Sequence, residues 1–176
     1  MLESLITSKT RIKLLLKFFL NSQTKSYLRS LETEFGESTN SIRVELNKLE
    51  NAGLLEASLE GNKKMFYANK QHPLFEDINN ILMKFIGIDQ IIDQVTSQIG
   101  DLQAAYITGD FAIGKDSKII DLTLIGNQLD RPYIDTLVEK AEGFISRRIK
   151  YIILTREEML QYFNGKPVLL IWKSDN

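Results

Sequence analysis

The chain has 176 residues, 43% of them apolar and 26% charged, which is typical of a folded soluble protein with one large domain or two small ones. It contains no cysteine, which excludes disulfide bonds, a thiol nucleophile and a thiolate zinc site. No apolar run approaches the roughly 18–20 residues that a membrane-crossing helix needs, and residues 1–4 do not resemble the start of a signal peptide, so we expect a cytoplasmic protein with no membrane partner.

The net charge of −1 is unevenly distributed along the chain. Residues 1–72 contain 11 Lys and Arg against 8 Asp and Glu, a net charge of +3. Residues 73–176 contain 11 against 15, a net charge of −4. The positive first part is compatible with nucleic-acid binding, but a difference of this size does not establish it.

Three helices are predicted in the first part of the chain. Apolar residues at helical spacing indicate an amphipathic helix over 9–20 and two further helices. We expect Ser26 and Ser38 to cap the second and third helices, and Gly36 and Gly53 to end them. The residues expected to face inward are Ile12, Leu15, Leu16, Phe19, Leu28, Leu31, Phe35, Ile42, Leu46 and Leu49. The short turn between the second and third helices is typical of a helix-turn-helix.

A β-hairpin is predicted directly after the third helix. Residues 54–58 indicate a strand, 60–62 a tight turn and 63–68 a returning strand, and three helices followed by a hairpin make a winged helix. The run from Ser38 to Leu55, with its Leu-x-x-Leu-x-x-x-Gly-Leu pattern, resembles the recognition helix of ArsR-like regulators. That resemblance implies double-stranded DNA as a partner.

Short polar side chains and one arginine occupy the face of the third helix that remains once its apolar residues are buried. They can donate to phosphates or read base edges in a major groove, and two lysines at the hairpin turn would reach a flanking phosphate. The predicted DNA-binding residues are Thr39, Asn40, Ser41, Arg43, Asn47, Lys63 and Lys64. However, the charges of Glu37, Glu45 and Glu50 would face or flank a polyanion. A solvated helix face or a protein-interaction module is therefore the alternative.

Residues 73–100 are predicted to form linking helices, interrupted at Gly87. Pro73 disfavours a helical conformation at His72 and suits the first turn of the helix that follows. His72, the only histidine, is expected to be a capping or surface group. The apolar residues of the two helices are Leu74, Ile78, Ile81, Leu82 and Phe85, then Ile88, Ile91, Ile92 and Val95. Such helices either form a homodimer interface or pack against the second domain.

Residues 101–176 alternate strands and helices in the order β-turn-β-α-β-α-β. Strands are predicted over 104–108, 118–125, 149–154 and 168–172, and helices over 130–145 and 155–163 with Thr155 as a cap. Residues 109–126 include Gly109, Ala112, Gly114, Asp121, Leu122 and Gly126. This run resembles the core motif of the nucleotidyltransferase superfamily, written G-S-x-A-x-G and then D-x-D-L-x-x-x-G. The resemblance implies a small α/β nucleotidyltransferase-like domain.

Two positions of that motif lack the residue on which the chemistry of the family depends. In the nucleotidyltransferase superfamily, two aspartates and a third acid on a later strand hold two metals, and the Gly-Ser turn holds a nucleoside triphosphate. Here Asp110 replaces the serine, Ile119 replaces the first aspartate, and residues 147–154 contain no acid. Strand alternation places Ile119 on the same face as Asp121, and Asp110 would repel a triphosphate. We expect a degenerate nucleotide site of Gly109, Asp110, Gly114 and Asp121, with no catalytic residue, metal or cofactor.

The predicted fold class is α+β. It combines an N-terminal winged helix-turn-helix over 1–72, linking helices over 73–100 and a C-terminal small α/β nucleotidyltransferase-like domain over 101–176. We expect a homodimeric, DNA-binding transcriptional regulator that is not an enzyme and uses its second domain for assembly, partner contact or sensing of an unknown effector. One alternative is a divergent metal-dependent nucleotidyltransferase, with Asp110, Asp116 and Asp121 forming a different metal site. The other is a protein-binding module of the antitoxin kind.

Overall fold

The computed structural model describes residues 6–174. The chain divides into two compact units, the first ending at Phe85 and the second beginning at Ile86. Unit 1 contains a three-stranded sheet and unit 2 a four-stranded sheet, so the chain has the predicted mixed α+β class. The boundary falls inside the segment 73–100, so the first linking helix belongs to unit 1 and the second to unit 2.

The first helix of unit 1, α1, spans Lys9–Leu15 and is capped by the side chain of Ser8. It continues as a π-helical stretch, Leu16–Leu20, in which all five side chains are buried. The prediction of one amphipathic helix over 9–20 is therefore wrong in its second half, because the π turn is surrounded by core. The buried Lys17 ammonium is compensated by the Glu34 carboxylate at 2.8 Å.

The second helix, α2, spans Leu28–Phe35 and is preceded by the short strand β1, Ser26–Tyr27. The prediction that Ser26 caps α2 is wrong. Ser26 pairs with Phe66 in the sheet, and Tyr27 occupies the N-cap position without a side-chain hydrogen bond. Long-range strand pairing thus overrides the local preference of serine for a cap.

The third helix, α3, spans Thr39–Asn51 and completes the helix-turn-helix. Gly36 ends α2 in the left-handed conformation, with φ of 63°, which glycine adopts without a steric penalty. The Ser38 side chain accepts a hydrogen bond from the backbone N–H of Ser41 and caps α3. Both predictions about this turn are confirmed.

The wing is an antiparallel hairpin of β2, Leu55–Glu60, and β3, Lys63–Ala68. Its tip is a two-residue turn, and the sheet order β1-β3-β2 places β1 beside the returning strand. The core under this sheet contains Phe18, Phe19, Leu31, Ile42, Leu46, Leu55 and Phe66. The predicted winged helix is therefore present.

Helix α4, Phe75–Ile86, follows the wing. The Nδ1 atom of His72 accepts a hydrogen bond from the backbone N–H of Leu74 at 3.1 Å, so the capping role predicted for this histidine is confirmed. Pro73 lies two residues before the helix, rather than in its first turn as predicted. The Asn79 side chain donates to the carbonyl oxygen of Phe19 at 2.6 Å and ties α4 to the buried π turn.

Unit 2 has the predicted order of strands and helices. The elements are α5 (Ile88–Gln94), a 3₁₀ turn (Thr96–Gln98), β4 (Ala104–Thr108), the one-turn helix α6 (Gly109–Ala112), β5 (Ile119–Ile125), α7 (Arg131–Glu142), β6 (Arg148–Leu154), α8 (Arg156–Tyr162) and β7 (Leu169–Lys173). Thr155 caps α8 as predicted, in a reciprocal capping box with Glu158. Strand boundaries deviate from the predictions by at most one residue.

The sheet of unit 2 has the order β6-β5-β4-β7, with β5 and β6 parallel and the other pairs antiparallel. One face of β5 buries Ile120, Leu122 and Leu124, and the other carries Ile119, Asp121 and Thr123. In register, Thr108 lies opposite Asp121, and Lys150 lies beside it on β6. Strand β6 is an edge strand, as its cluster of basic residues suggests.

Within residues 6–174, no helix combines the length and the apolar character that crossing a bilayer requires.

Candidate nucleic-acid interface

A groove of about 560 Å³ runs between the recognition helix α3 and the wing. It brings together four of the predicted DNA-binding residues, Arg43 and Asn47 from α3 and Lys63 and Lys64 from β3. It also includes Arg29 near the start of α2, which the sequence analysis missed. Among the residues that the structure describes, four cationic side chains and no carboxylate line this groove. A positive concave surface of this kind suits a phosphate backbone.

Three of these four cations remain available to a ligand. Arg29 and Arg43 are exposed, and within residues 6–174 neither has a carboxylate oxygen within 4 Å. The Nζ atom of Lys63 lies 4.4 Å from the centroid of the Tyr27 ring, which steadies the ammonium without neutralising it. By contrast, Lys64 donates to the Glu50 carboxylate at 2.7 Å, so its charge is already compensated.

The predicted DNA-binding residues in the first turn of α3 lie outside this groove. Asn40 is exposed and Thr39 is partly exposed, but neither lines the groove. The Ser41 hydroxyl lies 3.1 Å from that of Thr10 in α1, so Ser41 is directed toward the interior of unit 1. Ser41 nevertheless remains partly exposed, and the contact with α1 is one that helical periodicity does not reveal.

The glutamates that seemed to oppose DNA binding are engaged by cations of unit 1. Glu45 is only 7% exposed, and its carboxylate contacts Arg11 at 2.7 Å and Lys48 at 3.3 Å. Glu37 contacts Lys13 at 2.6 Å and also accepts a hydrogen bond from Thr10. Together with Glu50, each of the three carboxylates has a cationic partner, which reduces the repulsion that a polyanion would meet.

The pKa values of two of these carboxyls reflect that arrangement. Burial raises the pKa of Glu45, but hydrogen bonds from Arg11 and Lys48 outweigh burial, and the pKa lies below its ordinary value. Burial likewise raises the pKa of Glu37, and hydrogen bonds from Lys13 and Thr10 bring it below the ordinary value. Both groups are therefore ionised at neutral pH, with their charge directed at α1.

In unit 2, the structure brings Gly109 and Asp121 together. Gly109 has φ of 64°, and a Cβ atom there would overlap with Oδ2 of Asp121 and lie 3.1 Å from its Cγ. The retained glycine thus allows the backbone turn to approach the retained aspartate. Asp110, at the start of α6, is half-exposed and forms an ion pair with Lys115 at 3.4 Å.

The surroundings of Asp121 are poorly suited to divalent cations. Ile119, two residues earlier on the same face of β5, offers no ligand atom, and the neighbouring position on parallel strand β6 is Lys150. Asp116 forms an ion pair with Arg147 at 2.8 Å. In the part of the chain that the structure describes, no three Asp, Glu or His side chains are grouped so that they could hold one ion. Asp110, Asp116 and Asp121 thus do not converge on an alternative metal site.

Comparisons with known proteins give only distant likenesses. No family model matches the chain, and neither does any curated protein. Among solved structures, a chain from a toxin–antitoxin structure with AMP-PNP is 17% identical, with a TM-score of 0.40, covering 49% of this chain and 73% of that one. A candidate nucleotidyltransferase from Sulfolobus solfataricus is 20% identical, with a TM-score of 0.36, covering 53% and 85%.

A third structure is the homodimeric winged helix-turn-helix DNA-binding domain of Mb0332 from Mycobacterium bovis, a candidate ArsR-family regulator. It is 18% identical, with a TM-score of 0.33, covering 52% of this chain and 83% of that one. TM-scores this low carry no argument about function. The solved structures that this chain resembles in part thus include winged-helix and nucleotidyltransferase-like folds, and the chain itself is a mixed α+β protein with a winged helix in its first unit.

Proposed function

We propose that this protein is a transcriptional regulator that binds double-stranded DNA through the groove between α3 and the wing. The observation that carries the proposal is the convergence of Arg29, Arg43 and Lys63 on one groove without a carboxylate partner in the described residues. Unpaired cations on a concave surface attract a polyanion and release its counterions. Three nearby glutamates, Glu37, Glu45 and Glu50, are paired with cations, as a surface that binds a polyanion requires. A protein-interaction surface would not require this pairing.

The proposed contacts divide into two kinds. Arg43 and Asn47 lie on the exposed face of the recognition helix, where arginine can pair with guanine and asparagine with adenine in a major groove. Lys63 at the wing and Arg29 at the start of α2 flank that helix and would hold phosphates on either side. The helix would select the sequence, and the flanking cations would supply most of the affinity.

A homodimer is the proposed form of the regulator, with α4 as the contact. Leu74 and Ile81 are 52% and 48% exposed, and the partly exposed Ile78 lies between them at helical spacing. An antiparallel pair of α4 helices would cover this stripe. Two recognition helices related by a two-fold axis would then address two half-sites.

Unit 2 is proposed to serve assembly or sensing rather than nucleotide transfer. Asp121 is the single acid kept from the motif, Ile119 faces the same way, and the neighbour of Asp121 on β6 is Lys150 rather than an acid. Incubation of the full chain with labelled nucleoside triphosphates and Mg²⁺ or Mn²⁺ is expected to give no label transfer. Transfer that is lost in Asp121→Asn would overturn this part of the proposal.

DNA binding is tested with sheared genomic fragments in a fluorescence anisotropy assay at two salt concentrations. Arg43→Ala, and the Lys63→Ala and Lys64→Ala double variant, should each weaken binding several-fold at low salt. Lys70→Ala is the matched control, because it lies past the end of β3 opposite to Lys63 and does not line the groove. Wild-type binding no tighter than that of the groove variants would refute DNA binding through this surface.

A further inference from the structure

Unit 2 contains a second cleft, of about 730 Å³, far from the degenerate nucleotide site. It lies where β4 begins and β5 ends, around the paired residues Ala104 and Ile125. The Gly109–Asp121 turn lies at the opposite end of the same strand pair, roughly 13 Å away along β4. The cleft is therefore independent of the site at which the motif residues meet.

The walls of this cleft present two cations to a polar interior. Arg156 comes from the start of α8 and Lys173 from the end of β7. Both side chains are exposed, and among residues 6–174 neither forms an ion pair. Asp101 is the one acidic residue among residues 6–174 that lines the cleft, so the described lining carries a net charge of +1. An anion with one or two negative charges is the complementary ligand.

The remaining lining supplies a platform and hydrogen-bonding groups. Tyr106 projects from the sheet face that also carries Ile125, and Met159 of α8 adds an apolar wall. The side-chain amides of Gln103 and Gln128 form no hydrogen bond within the part of the chain that the structure describes. The aromatic and apolar surface suits a planar organic body, and the amides suit its polar substituents.

The rim of the cleft is fixed by backbone contacts. The Gln103 N–H donates to the Ile125 carbonyl at 2.8 Å, and the Gln103 carbonyl accepts from the Ser174 N–H at 3.0 Å. A Cβ atom at Gly126 would lie 3.0 Å from the carbonyl oxygen of Asp101, so a glycine permits this close approach. Three chain segments are thus held together by the backbone at the rim of the cleft.

We infer that this cleft binds a small planar organic anion, with Arg156 and Lys173 gripping its carboxylate or phosphate group and Tyr106 packing on its body. The volume lies within the range of small-molecule sites. Arginine can hold either group with two parallel hydrogen bonds, which fix the orientation of the ligand and compensate its negative charge. This role rests on the proposed function: such a ligand would be the effector of the proposed regulator, and its binding can be measured without DNA.

The inference is tested on the full chain without DNA. The probes are 2-naphthoate and phenyl phosphate, each compared with a neutral analogue, 2-naphthamide and phenol, by calorimetry and by NMR shift mapping of backbone amides. We expect the anions to bind and the neutral analogues to bind at least tenfold more weakly. The shifted amides should cluster in residues 100–106, 125–128, 156–160 and 173–174.

Two variants distinguish anion binding in this cleft from nonspecific anion binding elsewhere on the chain. The double variant Arg156→Ala and Lys173→Ala should weaken anion binding at least tenfold, whereas Lys140→Ala, an exposed cation on α7 outside the cleft, should leave it unchanged. Absence of anion binding at millimolar concentration, equal binding of the neutral analogues, or equal binding by the double variant would each overturn the inference. Because DNA is absent, failure here leaves the test of DNA binding unaffected.

Discussion

Replacement of the buried carboxylate of Glu45 by an amide tests the ion pairs that attach the recognition helix to α1. Glu45→Gln preserves the shape of the side chain but removes the charge that faces Arg11 at 2.7 Å and Lys48 at 3.3 Å. Charged hydrogen bonds contribute about 1.5–3 kcal/mol to stability. The Arg11 side chain is 36% exposed, so solvent screening reduces the expected loss to about 1–2 kcal/mol.

Urea denaturation at two pH values measures this loss. The pKa of Glu45 in the folded state lies below its ordinary value of 4.5, so the ion pairs stabilise the protein above the unfolded pKa, and that stability is lost as the pH falls through the folded pKa. Glu45→Gln should therefore be less stable than wild type at pH 7, and this difference should shrink as the pH is lowered below 4.5 and through the folded-state pKa. The matched control is Glu56→Gln, an exposed carboxylate on β2, which should stay within about 0.5 kcal/mol.

Two results would refute this reasoning. If Glu45→Gln is as stable as wild type at pH 7, the buried pairs do not hold the helix. If its deficit persists unchanged at low pH, the loss comes from packing rather than from charge. Since Glu45 faces α1, the variant should also bind DNA as tightly as wild type under conditions in which it is folded.

Three further predictions concern other parts of the chain. Gly109→Ala should lower the free energy of unfolding by about 2 kcal/mol or more, because alanine there would adopt a left-handed backbone and its Cβ atom would overlap with Asp121. In a double-mutant cycle measured by thermal unfolding, Asp121→Ala should relieve part of that loss. Ile81→Glu should reduce the mass measured by light scattering from that of a dimer to the 20.2 kDa of a monomer. If the wild-type protein is itself a monomer, the proposed contact through α4 is wrong. Burial, and after it a hydrogen bond to Asp135, raises the pKa of Tyr151 to about 12. A phenolate titration should therefore show a tyrosine that ionises late, and Asp135→Asn should lower the pKa of that tyrosine toward 10. The absence of a late-ionising tyrosine would contradict this prediction.

The local patterns of the sequence were sufficient for most element boundaries. Strand β4 and the capped start of α3 follow directly from alternation and from the Gly36–Ser38 turn. Ser26 could not be placed correctly, because its strand conformation depends on pairing with Phe66, forty residues later. Predictions thus fail where a contact distant in sequence outweighs a local preference.

The distinction between local patterns and contacts distant in sequence also applies to the candidate DNA interface. Glu45 is three residues after the buried Ile42, so helical spacing alone places it on the inward stripe, but its partner Arg11 is visible only in the folded structure. Arg29 joins the groove because β1 pairs with β3 and brings the start of α2 beside the wing. An exposed arginine at the start of a helix is a weak signal until that pairing is known.

The salt dependence of DNA binding by the full chain tests the proposed interface most directly. Of the groove cations that have no carboxylate partner in the described residues, Arg29 and Lys63 are the two proposed to hold phosphates, and about two released counterions per bound protomer give a slope of roughly −2 for log K against log salt concentration. Lys63→Ala should reduce the magnitude of that slope by about 1, whereas Arg43→Ala should weaken binding with little change in the slope. A wild-type slope near zero, or an unchanged slope in the triple variant Arg29→Ala, Arg43→Ala and Lys63→Ala, would contradict DNA binding through the groove between the recognition helix and the wing.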